Sequence, residues 1–347
     1  MLICEAGDSL SRFFHTTRKV GKRMAASPRA PHAPQPDSPA KQRKLERRSL
    51  IKKDLKRNKF IYLLALPIIA YYGIFHYGPM YGLLMAFKDF SIADGIWGSR
   101  WIGFDHFENF FNSYYFGRLI RNTILINIYE LLFAFPAPIL LALLLNEIRG
   151  RIFKRTVQTI SYLPHFISIV VVVGMMFDFL ARDGLINQLL GFFGIDSIPF
   201  MSEPGWFRTL FVGSGIWQGL GWGSIIYLAA IATIDPTLYE AAKMDGAGRF
   251  KQVLHITIPG IMPTIVIMFI LNMGSMMSVG SEKVLLMYSP LTYETADVIS
   301  TFVYRRGVLD SDYGFTTAVG LFNSIVSFIL LVASNTISKR VSEHKLW

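Results

Sequence analysis

Cysteine is nearly absent: one residue, Cys4, in a chain of 347, which excludes an intrachain disulfide and any metal site built from several thiolates. Charge is scarce as well, with 17% Asp, Glu, Lys and Arg against 52% hydrophobic and 14% aromatic residues. A soluble domain of this length is rarely so apolar, and a polytopic membrane protein is the first reading. No HExxH, no GxSxG and no cluster of His and Asp occurs, which leaves an integral-membrane enzyme without a motif to stand on. A GxxxxGK[ST] phosphate loop is missing too, so the chain is not expected to hydrolyse ATP itself. The early residues lack a continuous apolar core followed by a small-residue cleavage site, and no cleavable signal peptide is expected.

What is there divides sharply. Residues 1–59 run PRAPHAPQPDSPAKQ and then RKLERRSLIKKDLKRNK, a composition that predicts a disordered proline-rich tail leading to a basic, membrane-adjacent cytosolic helix, with Met24 as an alternative start. Residues 60–347 form the second predicted region, all-α, with six apolar stretches each near the ~20 residues that span the hydrocarbon layer. Their approximate limits are 60–81, 123–145, 160–180, 210–234, 261–279 and 315–337.

The formal net charge of +11 would suit nucleic acid if it formed a face, but the basic residues crowd into the N-terminal part and into alternate connections. Arg149, Arg151, Lys154 and Arg155, then Lys243, Arg249 and Lys251, then Lys339, Arg340 and Lys345 all fall on the side of the N-terminus. By the positive-inside rule that side is cytosolic, and the connections bearing Trp97, Trp101, Trp206, Tyr114, Tyr115, Tyr288 and Tyr293 face outward.

One polar stretch on the predicted cytosolic side is not explained by lipid: EAAKMDGAGRFKQVLHITIPGIMP, residues 240–263. Asp235 before Pro236 is a strong helix start, Leu238, Ala241 and Ala242 share a face, and Gly246 can end the helix in a left-handed conformation. A second short helix is predicted from about Arg249, with Phe250, Val253 and Leu254 on one side, after which Pro259 and Pro263 should re-aim the chain. Small residues at 241, 242 and 246–248 let backbones approach, while Glu240, Lys243, Asp245 and Arg249 supply a charged rim. Spacing alone fits either a docking knob or a plain hairpin whose glycines turn the chain.

Glu240-Ala241-Ala242, Gly246-Ala247, Ile256 and Ile258-Pro259 together resemble the coupling-loop signature of binding-protein-dependent ABC importer permeases. The resemblance covers roughly residues 55–347, and LLLNEIRGRIFKRTVQTISYLPHFIS, SIIYLAAIATIDPTLYEAA and SNTISKR look like the subfamily that handles oligosaccharides and polysaccharides, a bacterial alginate importer's permease among them. It implies a type I importer permease fold of six transmembrane helices in the cytoplasmic (inner) membrane. It also implies a coupling loop at Glu240, Ala241, Ala242, Asp245, Gly246, Ala247 and Pro259 that seats on an ATPase subunit. The implied partners are a second permease subunit, homologous or identical, two ATP-binding cassette ATPases holding ATP and Mg, and an extracytoplasmic solute-binding protein. No cofactor is implied on this chain.

Polar side chains inside apolar spans are costly unless they face a cavity or a partner. Asn127 and Glu130 in the second stretch, Trp217, Gln218 and Trp222 in the fourth, Asn272 in the fifth and Asn323 in the sixth are therefore the candidate substrate pathway. For any one of them interhelical hydrogen bonding is the readier explanation, as close packing is for the glycines around Trp217. An ion-coupled secondary transporter would be expected to show more buried titratable groups than Glu130 and a repeated half, which the sequence does not display. Arg118, Arg121, Arg182, Lys283, Arg305 and Arg306 are candidate outer charges for steering an acidic cargo, which Glu130 would repel if it faced the path.

Overall fold

The computed structural model describes residues 53–54 and 56–341, so most of the tail predicted over 1–59 lies outside the described residues. The chain divides into two units between Tyr71 and Tyr72. The first holds all but the last residue of α1 (Lys59–Tyr72), which is apolar after Lys59, carries Pro67 inside it and buries none of its residues. Everything that follows belongs to the second.

The main helices of that second unit are α2 (Phe116–Tyr129), α3 (Pro136–Glu147), α4 (Arg151–Tyr162), α5 (Ile169–Phe179) and α6 (Pro204–Ile231), then α7 (Pro236–Met244), α8 (Arg249–Gln252), α9 (Ile258–Ser275), α10 (Ser281–Met287) and α11 (Tyr313–Val341). Among the described residues, strand is confined to the two-residue antiparallel pairing of β1 (Lys88–Asp89) with β2 (Arg100–Trp101). Among the described residues, four helical runs are long and apolar enough to cross a membrane: Lys59–Phe87, Phe116–Glu147, Arg249–Ser275 and Tyr313–Lys339. Two further pairs reach that standard together, α4 with α5 and α6 with α7, bent by 99° and 75°, which brings the total to six. An all-α polytopic protein is what the apolar runs predict and what the chain forms.

Prolines shape three of these runs in the same way. Gly73–Tyr77, Glu130–Ala134 and Val253–Thr257 are π-helical turns, each ending two residues before a proline: Pro79, Pro136 and Pro259. The residue just ahead of each proline donates its N–H five residues back, to Gly73, Glu130 and Val253. A proline ring collides with the carbonyl four residues behind it and has no N–H to offer, so widening the preceding turn relieves the clash without breaking the helix. The expectation that Pro259 and Pro263 re-aim the chain therefore needs correction, because helix continues from Arg249 through Ser275.

The third span also differs from its predicted limits of 160–180. Residues 160–166 end the amphipathic helix α4 and its 3-10 extension, and α5 begins only at Ile169, where the Ser168 hydroxyl accepts from the N–H of Val171 at 3.3 Å. Their apolar side chains extend one face of α4, and a run read by composition alone fused the two helices.

Helix α6 organises the unit, lying against α3, α4 and α9. Near its start Phe207 and Phe211 join Ile126, Val173, Val284 and Met287 in one buried cluster; near its end Tyr227 and Ile231 join Ala142, Leu143 and Ile261 in another. A third cluster, with Phe110, Leu119, Phe302 and Val319, ties α2 to α11. Where α6 crosses α4, a Cβ on Gly221 would fall on the Ser161 backbone carbonyl and within 2.8 Å of the Tyr162 ring, so only glycine permits this approach.

Candidate functional site

The loop between α6 and α9 is built from local capping. Asp235 caps α7 by accepting from the N–H of Thr237 at 2.9 Å, a bond that holds its carboxyl below the usual aspartate range. Gly246 takes φ +74°, and the N–H of Ala247 returns to the carbonyl of Ala242 at 2.8 Å, closing the helix with a left-handed cap. Further contacts make the loop a firm body: Gln252 Nε2 donates to the Ala247 carbonyl at 2.8 Å, and the hydroxyls of Tyr239 and Thr257 lie 3.0 Å apart. Arg249 lies 3.7 Å from Glu147 at the end of α3. Met244 and Phe250 project from it 89% and 79% exposed, with Leu238 and Leu254 exposed beside them. Apolar tips rimmed by Glu240, Lys243, Asp245 and Arg249 are the composition of a protein-docking surface.

The candidate pathway residues are not gathered at one place. Asn127 is buried and donates to the Thr123 carbonyl of its own helix at 2.6 Å. Gln218 donates to the Ile167 carbonyl at 2.8 Å, holding the break between α4 and α5, and Trp222 stacks on His165 with ring centroids 4.6 Å apart. Asn272 is exposed on α9. Trp217 borders an apolar cavity of about 300 Å³ shared with Met175, Met176 and Ser214. Asn323 borders another of about 570 Å³ with Ser300, Tyr304 and Tyr313, its buried Oδ1 without a partner. Glu130 has Lys283 as its charged neighbour.

Several expected outer charges turn out to be engaged. Lys283 is buried, its Nζ donating to the Phe211 carbonyl at 2.6 Å and lying 4.5 Å from the centre of that ring, so it is no steering charge. Arg118 and Arg305 both reach the fully buried carboxylate of Asp297 at 2.9 Å, and Arg306 pairs with Asp310 at 3.4 Å.

A cavity that sequence reasoning missed lies between α2, the π turn after it and the start of α6. It measures about 440 Å³ and is lined by Tyr129 and Phe133 on one side and by Gly205, Arg208, Thr209 and Gly213 on the other. The two aromatic rings sit one turn apart, stacked at 6.3 Å between centroids. The signal was present as the i, i+4 pair Tyr129/Phe133 and the 205, 209, 213 stripe of small residues; what periodicity could not reveal is that the two stripes face each other.

Residues 134–343 match the family model described as "Binding-protein-dependent transport system inner membrane component". The chain is 47% identical to Protein LplB of Bacillus subtilis over 84% of its own length and 92% of that protein. It is 43% identical to the B. subtilis polygalacturonan/rhamnogalacturonan transport system permease protein YteP, over 91% and 98%. Among solved structures it resembles a chain of a bacterial alginate ABC transporter in complex with an alginate pentasaccharide-bound periplasmic protein, with TM-score 0.80, 44% identity, and coverage of 85% of this chain and 99% of that one. A second match, a bacterial ABC transporter involved in the import of the acidic polysaccharide alginate, gives TM-score 0.79 at 45% identity.

Proposed function

Because the chain belongs to the binding-protein-dependent transport system inner membrane components, and is thus the permease subunit of an ABC importer, we propose that its cargo is an oligosaccharide derived from an acidic polysaccharide. Relatives whose names specify polygalacturonan, rhamnogalacturonan and alginate, matched over nearly their whole length, support that choice.

The observation that carries the reading is the placement of two features at opposite ends of one helix. The cavity with Tyr129 and Phe133 opens at the start of α6, and the capped loop with exposed Met244 and Phe250 follows its end. The twenty-eight residues of α6 span ~40 Å, with the cavity along its first half and the loop beyond its last residue. Aromatic faces suit the C–H patches of sugar rings, and the glycines opposite leave room for them. A displacement of the loop by a docked partner is passed to α6, and to α3 through Arg249 and Glu147.

In this reading a solute-binding protein delivers the sugar to the face opposite the loop, and a second permease subunit completes the path. Two ATPases holding ATP and Mg dock on the 235–260 loops. The loop and both termini are cytosolic, and the chain itself binds no nucleotide. Coupling requires that the ATPases bind ATP more tightly when the permease is outward-open. The test is uptake by complexes reconstituted in vesicles with their binding protein, comparing oligouronates, neutral oligosaccharides and peptides. Uptake of peptides with no sugar moved would reject the cargo; uptake confined to neutral sugars would reject its acidity.

A further inference from the structure

At the end of the helices remote from the loop, four guanidinium groups gather: Arg118, Arg121, Arg208 and Arg305. Two share a single carboxylate, since Asp297 accepts from both Arg118 and Arg305, and that trio keeps one net positive charge. The other two have no carboxylate partner among the described residues. Arg121 reaches only the backbone carbonyl of Glu294, at 3.3 Å. Arg208 donates one Nη2–H to the Asn122 side-chain oxygen at 3.0 Å, and its Nε is buried with no partner.

Asn122 fixes where that guanidinium sits. Its amide is fully buried and donates to the carbonyls of Glu294 at 2.9 Å and Asp297 at 3.0 Å, so its oxygen is held in place to receive Arg208. Arg121 and Asn122 reach the same Glu294 carbonyl, and Asn122 holds Arg208, so the two guanidiniums stand on one scaffold. Two like charges kept together over a common scaffold are unfavourable until an anion joins them. Arg208 also forms part of the wall of the aromatic cavity, and Arg121 borders a separate one of about 530 Å³ with Tyr114, Arg118 and Glu294.

We propose that Arg208, with Arg121 beside it, reads the carboxylate groups of the cargo at the mouth of the path, so that the permease selects acidic sugars independently of its binding protein. This rests on the oligosaccharide reading above and adds the residues that discriminate. A guanidinium presents two parallel N–H groups to a carboxylate, and a uronate that pairs with Arg208 can lay its ring against Tyr129 and Phe133. A neutral sugar entering the same cavity offers Arg208 only uncharged acceptor oxygens, whose bonds to a guanidinium are weaker than a carboxylate's.

The whole complex in nanodiscs, without binding protein, is titrated with trigalacturonate and with its methyl ester, which has the same ring skeleton without the charge. Wild type should prefer the acid, and Arg208→Gln should lower the acid-to-ester ratio of affinities about tenfold, the scale of one lost hydrogen bond to a charged group. Arg208→Lys, which keeps the charge and loses the fork, should fall between them. An unchanged ratio in the glutamine variant overturns the proposal, including the case where both affinities fall together because Arg208 pairs with a carboxylate of the second permease subunit. Should that variant not assemble, a salt titration of wild type decides: acid binding must weaken with salt and ester binding must not, and equal responses overturn the assignment. Equal wild-type affinity for the two trimers, or failure to bind either, removes the carboxylate site alone; the oligosaccharide reading falls only if uptake with the binding protein also moves no sugar.

Discussion

The crossing of α6 over α4 gives a sharp energetic test. Alanine at Gly221 would place its Cβ on the backbone carbonyl of Ser161 and against the ring of Tyr162, and a backbone obstacle cannot rotate aside as a side chain can. Overpacking of this kind costs ~1–3 kcal/mol, while replacing a helical glycine by alanine returns up to ~1 kcal/mol. Gly219 lies on the same helix two residues earlier, and a Cβ there meets nothing within 4 Å. The propensity gain is common to both positions, so the difference between Gly221→Ala and Gly219→Ala isolates the crossing itself, at ~2 kcal/mol. Thermal unfolding of the purified complex, followed by tryptophan emission, should place Gly219→Ala at or above wild type and Gly221→Ala several degrees below it. Because Gln218 and Trp222 flank the crossing and hold Ile167 and His165, Gly221→Ala should also slow uptake. Equal melting of the two variants would show that the helices do not meet at Gly221.

Three further outcomes are expected. Gly246→Val forces a β-branched residue into a left-handed conformation that costs ~1–2 kcal/mol even for unbranched residues, and Glu240→Lys inverts the loop's rim; each should abolish substrate-stimulated ATP hydrolysis by the complex, and full stimulation would make the loop a mere connector. In a Cys4→Ser background, cysteines at Ser202 and Lys251 should differ on right-side-out vesicles, with an impermeant maleimide labelling only 202; labelling of 251 alone reverses the orientation. Asp297→Asn leaves two guanidiniums without their shared carboxylate and should destabilise the complex by ~3–5 kcal/mol, read as a lowered melting temperature, whereas a wild-type melt would mean that the arginines find other partners.

Some of this protein is written locally, and there the sequence was sufficient. Six apolar runs, the Asp235 cap and the left-handed Gly246 each depend on residues within a turn or two, or on partition between lipid and water, which acts on composition. The capped helix and glycine turn between α6 and α9 were legible for the same reason. Polar residues inside spans were not: Asn127 and Gln218 satisfy carbonyls in the structure, Trp222 covers a histidine, and Lys283 lies buried on Phe211, while Arg208, uncounted by the sequence reading, stands in a cavity wall. The break at Ser168 escaped because hydropathy does not distinguish the apolar face of α4 from the start of α5. Only the tertiary structure decided these, since whether a guanidinium is paired depends on carboxylates far along the chain: Asp297 lies 179 residues from Arg118, and among the described residues Arg208 has no ion pair. Local sequence sets which groups need partners, and the packing of helices distant in sequence decides which of them receive one.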